Sequence, residues 1–260
     1  MCMGSTYLLF EKKDRIAKIS LNIPETKNAL NLKVREELLA LLTALRDDDA
    51  VHVVILTGTG KAFCAGGDLR TMEDVTPVAG RIRLKKGQRL IRALVELEKP
   101  VIAAVNGIAA GAGVSLALAS DMVLASETAR FFISFSRIGL IPDWGQYHFL
   151  PLRVGITKAK ELMMTGDPVD AQEAVRIGLI NRVVPDDRLE AEAYALAERL
   201  ARGPSQSYAM IKAALNRWPA GLDTFLEMES VMQAVAFNSD DFEEGRRAFL
   251  EKRAPRFKGK

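Results

Sequence analysis

The stretch Pro100-Val-Ile-Ala-Ala-Val-Asn-Gly-Ile-Ala-Ala-Gly-Ala-Gly-Val-Ser-Leu-Ala-Leu-Ala-Ser-Asp121 limits the folds open to this chain more than any other. An apolar run behind a proline reads as a fully buried strand. The small residues Asn106, Gly107, Gly111 and Gly113 follow, and an Ala/Leu-rich helix comes next. A strand, a turn almost free of side chains and a helix N-terminus together present backbone N–H groups without partners. Such a place suits a negatively charged oxygen. No side chain in the stretch looks catalytic, so the backbone is the expected reagent.

The rest of the chain supports an α/β protein. Tyr7–Glu11 and Ile16–Leu21, separated by Lys12-Lys-Asp-Arg, read as a hairpin. Asn31 is placed to cap a helix whose apolar residues Val34, Leu38, Leu39, Leu41, Leu42 and Leu45 recur at helical spacing. Val51–Thr57 reads as a buried strand, and a second small-residue turn, Cys64-Ala-Gly-Gly-Asp68, follows it. A long helix over 80–98 carries Leu84, Ile91 and Val95 on one side and a basic stripe of Arg81, Lys85, Arg89 and Arg92 on another. Met122–Ala125 and Asn181–Val184 are further strands, and the pattern from Leu189 onward is helical. Strand–turn–helix units in sequence, over residues 1–200, then give way to a helical region, 201–260. At 260 residues and 48% hydrophobic content the chain can bury a large core.

Global properties narrow the function classes. The net charge of +3 demands neither nucleic acid nor a membrane surface, and no apolar run has the length of a membrane span. The N-terminal residues lack a basic segment followed by an apolar one, so a cytoplasmic protein is expected. Cys2 and Cys64 are the only cysteines, and they form no metal-binding or disulfide pattern. Gly60-Lys61 lacks the glycine and the hydroxyl residue of a phosphate loop. Phe63 and Leu116 stand where a dinucleotide fingerprint needs its third glycine. Gly113-Val-Ser115-Leu-Ala117 approaches a hydrolase elbow, but the loop 106–112 places Ser115 inside the helix, where a small packing residue is expected.

Lys61-Ala-Phe-Cys-Ala-Gly-Gly-Asp-Leu69, followed by Lys99-Pro-Val-Ile-Ala-Ala-Val-Asn-Gly-Ile-Ala-Ala-Gly-Ala-Gly113, resembles the crotonase superfamily, the enoyl-CoA hydratase/isomerase group. Asn28-Ala-Leu-Asn31 and Glu251-Lys-Arg-Ala-Pro-Arg-Phe257 also fit, so the resemblance spans about residues 5–258. It implies a spiral of repeated ββα units, C-terminal helices that mediate a homotrimer or a dimer of trimers, and a bent acyl-CoA thioester as substrate. No cofactor beyond the coenzyme A of the substrate, and no metal, is implied. Carried over by position, the N–H groups of Gly67 and Ala112 form an oxyanion hole. Lys27, Ala29, Ala65, Gly66, Asp68 and Leu69, with Gly111 beside Ala112, line the substrate site. Phe257 and Lys258 close it, in one arrangement from a neighbouring subunit. The chemistry is coherent, because a thioester α-proton is removable near neutral pH only if the enolate oxygen is stabilised, and one such donor is worth roughly 3–4 kcal/mol.

The same resemblance places Ser115 and Phe135 where the usual hydratases carry two glutamates. Neither residue transfers protons as a carboxylate does, so ordinary hydration is disfavoured. Asp143, in Gly139-Leu-Ile-Pro-Asp-Trp-Gly145, takes their place, and Phe135-Ser-Arg-Ile-Gly-Leu-Ile-Pro-Asp143 most resembles the ring-opening isomerases of phenylacetate breakdown. Asp143 is expected to be a single proton shuttle that moves a double bond, its pKa raised by burial beside Trp144 and Phe135. A helix cap at Trp144 is the rival role. Hydration by atypical acid and base groups remains the alternative reaction. Among other groups, Asp68 reads as a cap, Asp121 as structural, and His148 and Tyr147 as packing. Cys64 reads as an unactivated thiol, and Glu73 and Asp74 as a possible border of the acyl pocket. The basic stripe reads as a solvated face before a coenzyme A contact, with RNA binding as the rival of a different class.

Overall fold

A computed structural model describes residues 7–73 and 76–259; Cys2 and Asp74 lie outside them. The hairpin forms as expected from β1 (Leu8–Lys13) and β2 (Ile16–Leu21), antiparallel and in register from Leu8 opposite Leu21. Helix α1 (Leu32–Arg46) begins where Asn31 accepts the Val34 N–H at 3.0 Å. Three units follow, each with two strands and a helix. They are β3 (Val53–Gly58), β4 (Ala62–Cys64) and α2 (Pro77–Val95); β5 (Val101–Val105), β6 (Ile108–Ala110) and α3 (Ala112–Leu118); and β7 (Met122–Ser126), β8 (Arg130–Phe132) and α4 (Gln146–Thr165).

The first strand of every unit joins one sheet and the second strand joins another. With β9 (Pro168–Asp170) and β10 (Arg182–Val184), the orders are β1-β2-β3-β5-β7-β10 and β4-β6-β8-β9. From β2 onward the large sheet is parallel. This is the spiral of ββα units. What reads in the sequence as one strand and a turn is thus two strands, the second only three residues long.

Burial on both faces explains the unbroken apolar runs of β3 and β5. Val54 and Leu56 point into the main core with Leu38, Leu42, Leu90 and Leu94. Val53 and Ile55 point the other way, against Ala193, Leu196, Ala197 and Leu200 of α6 (Leu189–Ala201). Helix α5 (Ala171–Arg176) leads from β9 towards β10. Helix α2 departs from expectation: it starts at Pro77 under a Thr76 cap, and its buried face is Gly87, Leu90, Ile91 and Leu94. Leu84 is exposed because the first two turns project beyond the core. The stripe Arg81, Lys85, Arg89 and Arg92 is solvent-exposed.

Helices α7 (Ser205–Leu215), α8 (Leu222–Ala236) and α9 (Asp240–Leu250) complete the chain. No residue of α8 is buried. No helix among the described residues is long and apolar enough to cross a membrane.

Candidate active site

The two small-residue turns touch through their backbones. Gly66 sits at φ +90°, and a Cβ there would stand 2.6 Å from Ala110 O and 3.3 Å from Ala112 N. From the other side, a Cβ on Gly113 would meet Cys64 O at 2.1 Å. Both positions therefore exclude side chains. Ala112 opens α3, so its N–H has no carbonyl one turn back. Gly67 is bridged to Leu30, and it is Gly66 O that accepts the Leu30 N–H, at 2.7 Å.

The residues expected to line the substrate site lie on segments around the first turn. The Ala65 N–H donates to Lys27 O at 2.9 Å, and the buried Asn28 fixes this segment. Its amide donates to Thr59 O at 2.9 Å and Ala62 O at 2.7 Å, while its oxygen accepts the Ile23 N–H at 2.8 Å. Lys27, Ala29, Ala65, Gly66, Gly67, Asp68 and Leu69 thus lie on neighbouring segments, with Lys27 and Leu69 exposed and Ala29 and Gly66 buried. Asp68 does cap a short helical turn, accepting the Arg70 N–H at 3.2 Å. The Arg70 guanidinium also holds its carboxyl below the ordinary range. Cys64 is fully buried, which pushes its thiol up to about 12 and leaves it inert.

Asp143 arrives from the loop before α4. Its Oδ1 is buried with no hydrogen-bond partner among the described residues. Burial raises its pKa to about 6, against the opposing pull of the Arg35 and Arg83 charges. The cap role is not what forms: α4 starts at Gln146 under Gly145, and only the Asp143 main-chain oxygen takes part, accepting the Gln146 N–H at 3.1 Å. Ser115 lies inside α3, as expected, and its hydroxyl donates to Asp143 O at 3.2 Å. Phe135 is buried, with its ring edge 3.6 Å from where a Gly111 Cβ would be.

The turn that presents Asp143 is strained and braced. Trp144 occupies φ +52°, a region costly for a bulky residue by about 1–3 kcal/mol. Its indole is 3% exposed, stacked 4.9 Å from the Arg35 guanidinium. A Cβ on Gly87 would meet the ring at 2.6 Å, so a mid-helix glycine makes room for it. Arg35 is a residue that the sequence reading passed over. It is 8% exposed and donates through Nε to Leu30 O at 2.9 Å, with Nη2 3.6 Å from the position of a Gly67 Cβ. Burial, then the Arg83 charge, push its pKa down to about 10, still charged at neutral pH. Its place on the apolar side of α1, beside Val34 and one turn before Leu38, was the available signal.

Other candidates lie apart. Tyr147 and His148 are exposed, and His148 meets Phe149 edge-on at 5.3 Å. Asp121 is structural: it accepts the Val101 N–H at 2.8 Å and pairs with the buried Lys212 at 2.8 Å. Phe257 and Lys258 are not brought to the turns within one chain. The Lys258 and Gly259 N–H groups donate to Asp241 at 2.7 and 2.9 Å, and this tail reaches Ser205 and His52, at the opposite end of β3 from Gly58.

Backbone amides on touching turns, with a carboxyl whose Oδ1 has no partner among the described residues, have the chemistry to hold an oxyanion and move a proton. The enoyl-CoA hydratase/isomerase family model matches residues 11–260. The probable enoyl-CoA hydratase of Rhodobacter capsulatus is 40% identical over 252 residues, covering 96% of this chain and 97% of its own. The 1,2-epoxyphenylacetyl-CoA isomerase of Escherichia coli is 39% identical over 259 residues, covering 98% and 99%. Among solved structures, the enoyl-CoA hydratase of Bacillus anthracis superposes with a TM-score of 0.93 at 36% identity, over 98% of this chain and all of that one.

Proposed function

The chain belongs to the enoyl-CoA hydratase/isomerase family, the crotonase superfamily, and from that premise we propose that it shifts a double bond within an acyl-CoA thioester. The observation that carries this is Asp143, a carboxylate whose buried Oδ1 has no partner among the described residues and whose pKa is raised to about 6, while Ser115 and Phe135, at the positions the resemblance gives to glutamates, cannot serve as acid or base. The thioester oxygen accepts hydrogen bonds from the Gly67 and Ala112 N–H groups. Asp143 takes a proton from C2 of a 3-enoyl chain, and the electron pair spreads through the thioester as a dienolate. The same carboxyl returns the proton at C4, leaving the double bond between C2 and C3. One acid–base group completes this 1,3-transfer, whereas hydration is better served by two.

Lys27, Ala29, Ala65, Gly66, Asp68 and Leu69 form the coenzyme A rim in this reading. The apolar residues left exposed on α8 and just after it, Leu222, Leu226, Val231, Val235 and Phe237, are covered by further copies of the chain. A homotrimer would also bring Phe257 and Lys258 to a neighbour's site. A relative named 1,2-epoxyphenylacetyl-CoA isomerase supports isomerisation of an acyl-CoA here.

The test is Asp143→Asn assayed on a 3-enoyl-CoA. The variant should fold and bind the thioester yet lose most turnover. Wild-type rates from purified, folded Asp143→Asn would refute the mechanism.

A further inference from the structure

The peptide units carrying the two inferred donors are both gripped at their carbonyl ends, but by different means. The Gly67 N–H shares a planar peptide with Gly66 C=O, which accepts the Leu30 N–H at 2.7 Å. The Ala112 N–H shares its peptide with Gly111 C=O. That oxygen accepts the Val114 and Ser115 N–H groups at 3.0 and 3.3 Å, as the first carbonyl of a helix must. It also accepts Nε2 of Gln146, at 2.7 Å, the shortest of the three. Gly111 N–H in turn donates to Phe132 O at 2.9 Å.

Gln146 is completely buried and its Oε1 has no partner among the described residues. An unmet buried acceptor opposes folding, so simple packing is a poor account of a glutamine there; an apolar side chain would fill the space without that cost. What the glutamine adds is the bond to Gly111 O. Because the peptide is planar, fixing the carbonyl fixes the direction of the N–H on its far side. A donor on the carbonyl also polarises the amide and strengthens its N–H.

We propose that Gln146 is a positioning residue that aims and strengthens the Ala112 N–H as an oxyanion donor. It stands three residues after Asp143, at the end of the same braced turn, so one turn sets both the base and the donor opposite it. This inference rests on the oxyanion reading above.

A conjugated arylacryloyl-CoA tests it, because the absorption of such a thioester moves to longer wavelength when its oxygen accepts hydrogen bonds. The wild-type protein should shift the bound probe. Gln146→Met should bind it within about threefold of wild type and lose about half of the shift, with kcat down roughly 10- to 30-fold and KM within threefold. Gln146→Glu gives an independent handle if the methionine variant folds poorly. Its shift should appear only on the acidic side, where the carboxyl is protonated and can donate. A full wild-type shift in Gln146→Met, or in Gln146→Glu at every pH, would overturn the inference while leaving the oxyanion hole standing. No shift in the wild type would instead remove the hole, and this role with it.

Discussion

Asp121 and Asp143 are two inward-facing carboxylates placed on either side of the β7–β8 unit, and their surroundings are opposites. Asp121 has a buried ammonium and a backbone N–H on the same oxygen, each at 2.8 Å. Asp143 has two guanidinium charges nearby, but no ion pair with either is found among the described residues, and its Oδ1 is bare. Arg35 is kept off it by other duties, its Nε on Leu30 O and its plane against Trp144. A contact as close as the one at Asp121 would hold Asp143 ionised and make it a weak base. A satisfied carboxylate fixes structure; one that burial and distance leave unsatisfied is available for chemistry.

The comparison can be broken most sharply by exchanging the losses. Asp143→Asn should lower turnover of a 3-enoyl-CoA by about a thousandfold or more while leaving the fold intact. Asp121→Ala should do the reverse, costing about 2–4 kcal/mol of stability in urea unfolding because Lys212 is left buried and unpaired. The turnover of the Asp121→Ala molecules that remain folded should stay within a few-fold of wild type.

A smaller effect runs against intuition. Because the folded pKa of Asp143 lies above its ordinary 3.8, the folded state holds the proton more tightly than the unfolded chain does. Its ionisation therefore costs stability as pH rises from about 4 through about 6, and the cost persists at neutral pH. Asp143→Asn should unfold later than wild type at pH 7, by about 1–2 kcal/mol after allowing for partial solvent screening. The gain should vanish below about pH 4.

The smallest effect sharpens the role of Arg35. Activity should fall below about pH 6 in the wild type as Asp143 takes up a proton. Arg35→Met removes one of the two positive charges facing Asp143, that from α1, and leaves Arg83 from α2. The acidic limb of kcat/KM should then move towards neutrality, with roughly fivefold less activity at pH 6 and a much smaller change at pH 8.

Much of the frame was legible in residues because it is long and periodic. The hairpin, the apolar spacing of the helix capped by Asn31 and the apolar runs of β3 and β5 each repeat a pattern over several residues. The strands β4, β6 and β8 were not legible from pattern alone, since three residues carry no period. The resemblance implied ββα units in general without placing these three strands. At the site, the paired small-residue turns announced themselves, because backbone contact there leaves no room for a Cβ at Gly66 or Gly113. Asp143 was singled out by the resemblance of the run Phe135–Asp143 to the ring-opening isomerases. Arg35 and Gln146 were missed for one shared reason: each is a polar residue buried by tertiary contacts, and sequence weighs such residues as surface. The mid-helix Gly87 was a third overlooked sign, explained only by the indole of Trp144 packed against it.

The most direct measurement is a side-by-side assay of the wild-type protein on matched 3-enoyl and 2-enoyl thioesters of coenzyme A. Asp143 as the one proton shuttle, with Ser115 and Phe135 unable to act as acid or base, predicts 3-to-2 isomerisation that outruns hydration of the 2-enoyl thioester by about a hundredfold or more. Rapid formation of the 3-hydroxy thioester, with no isomerisation above the uncatalysed rate, would contradict the account.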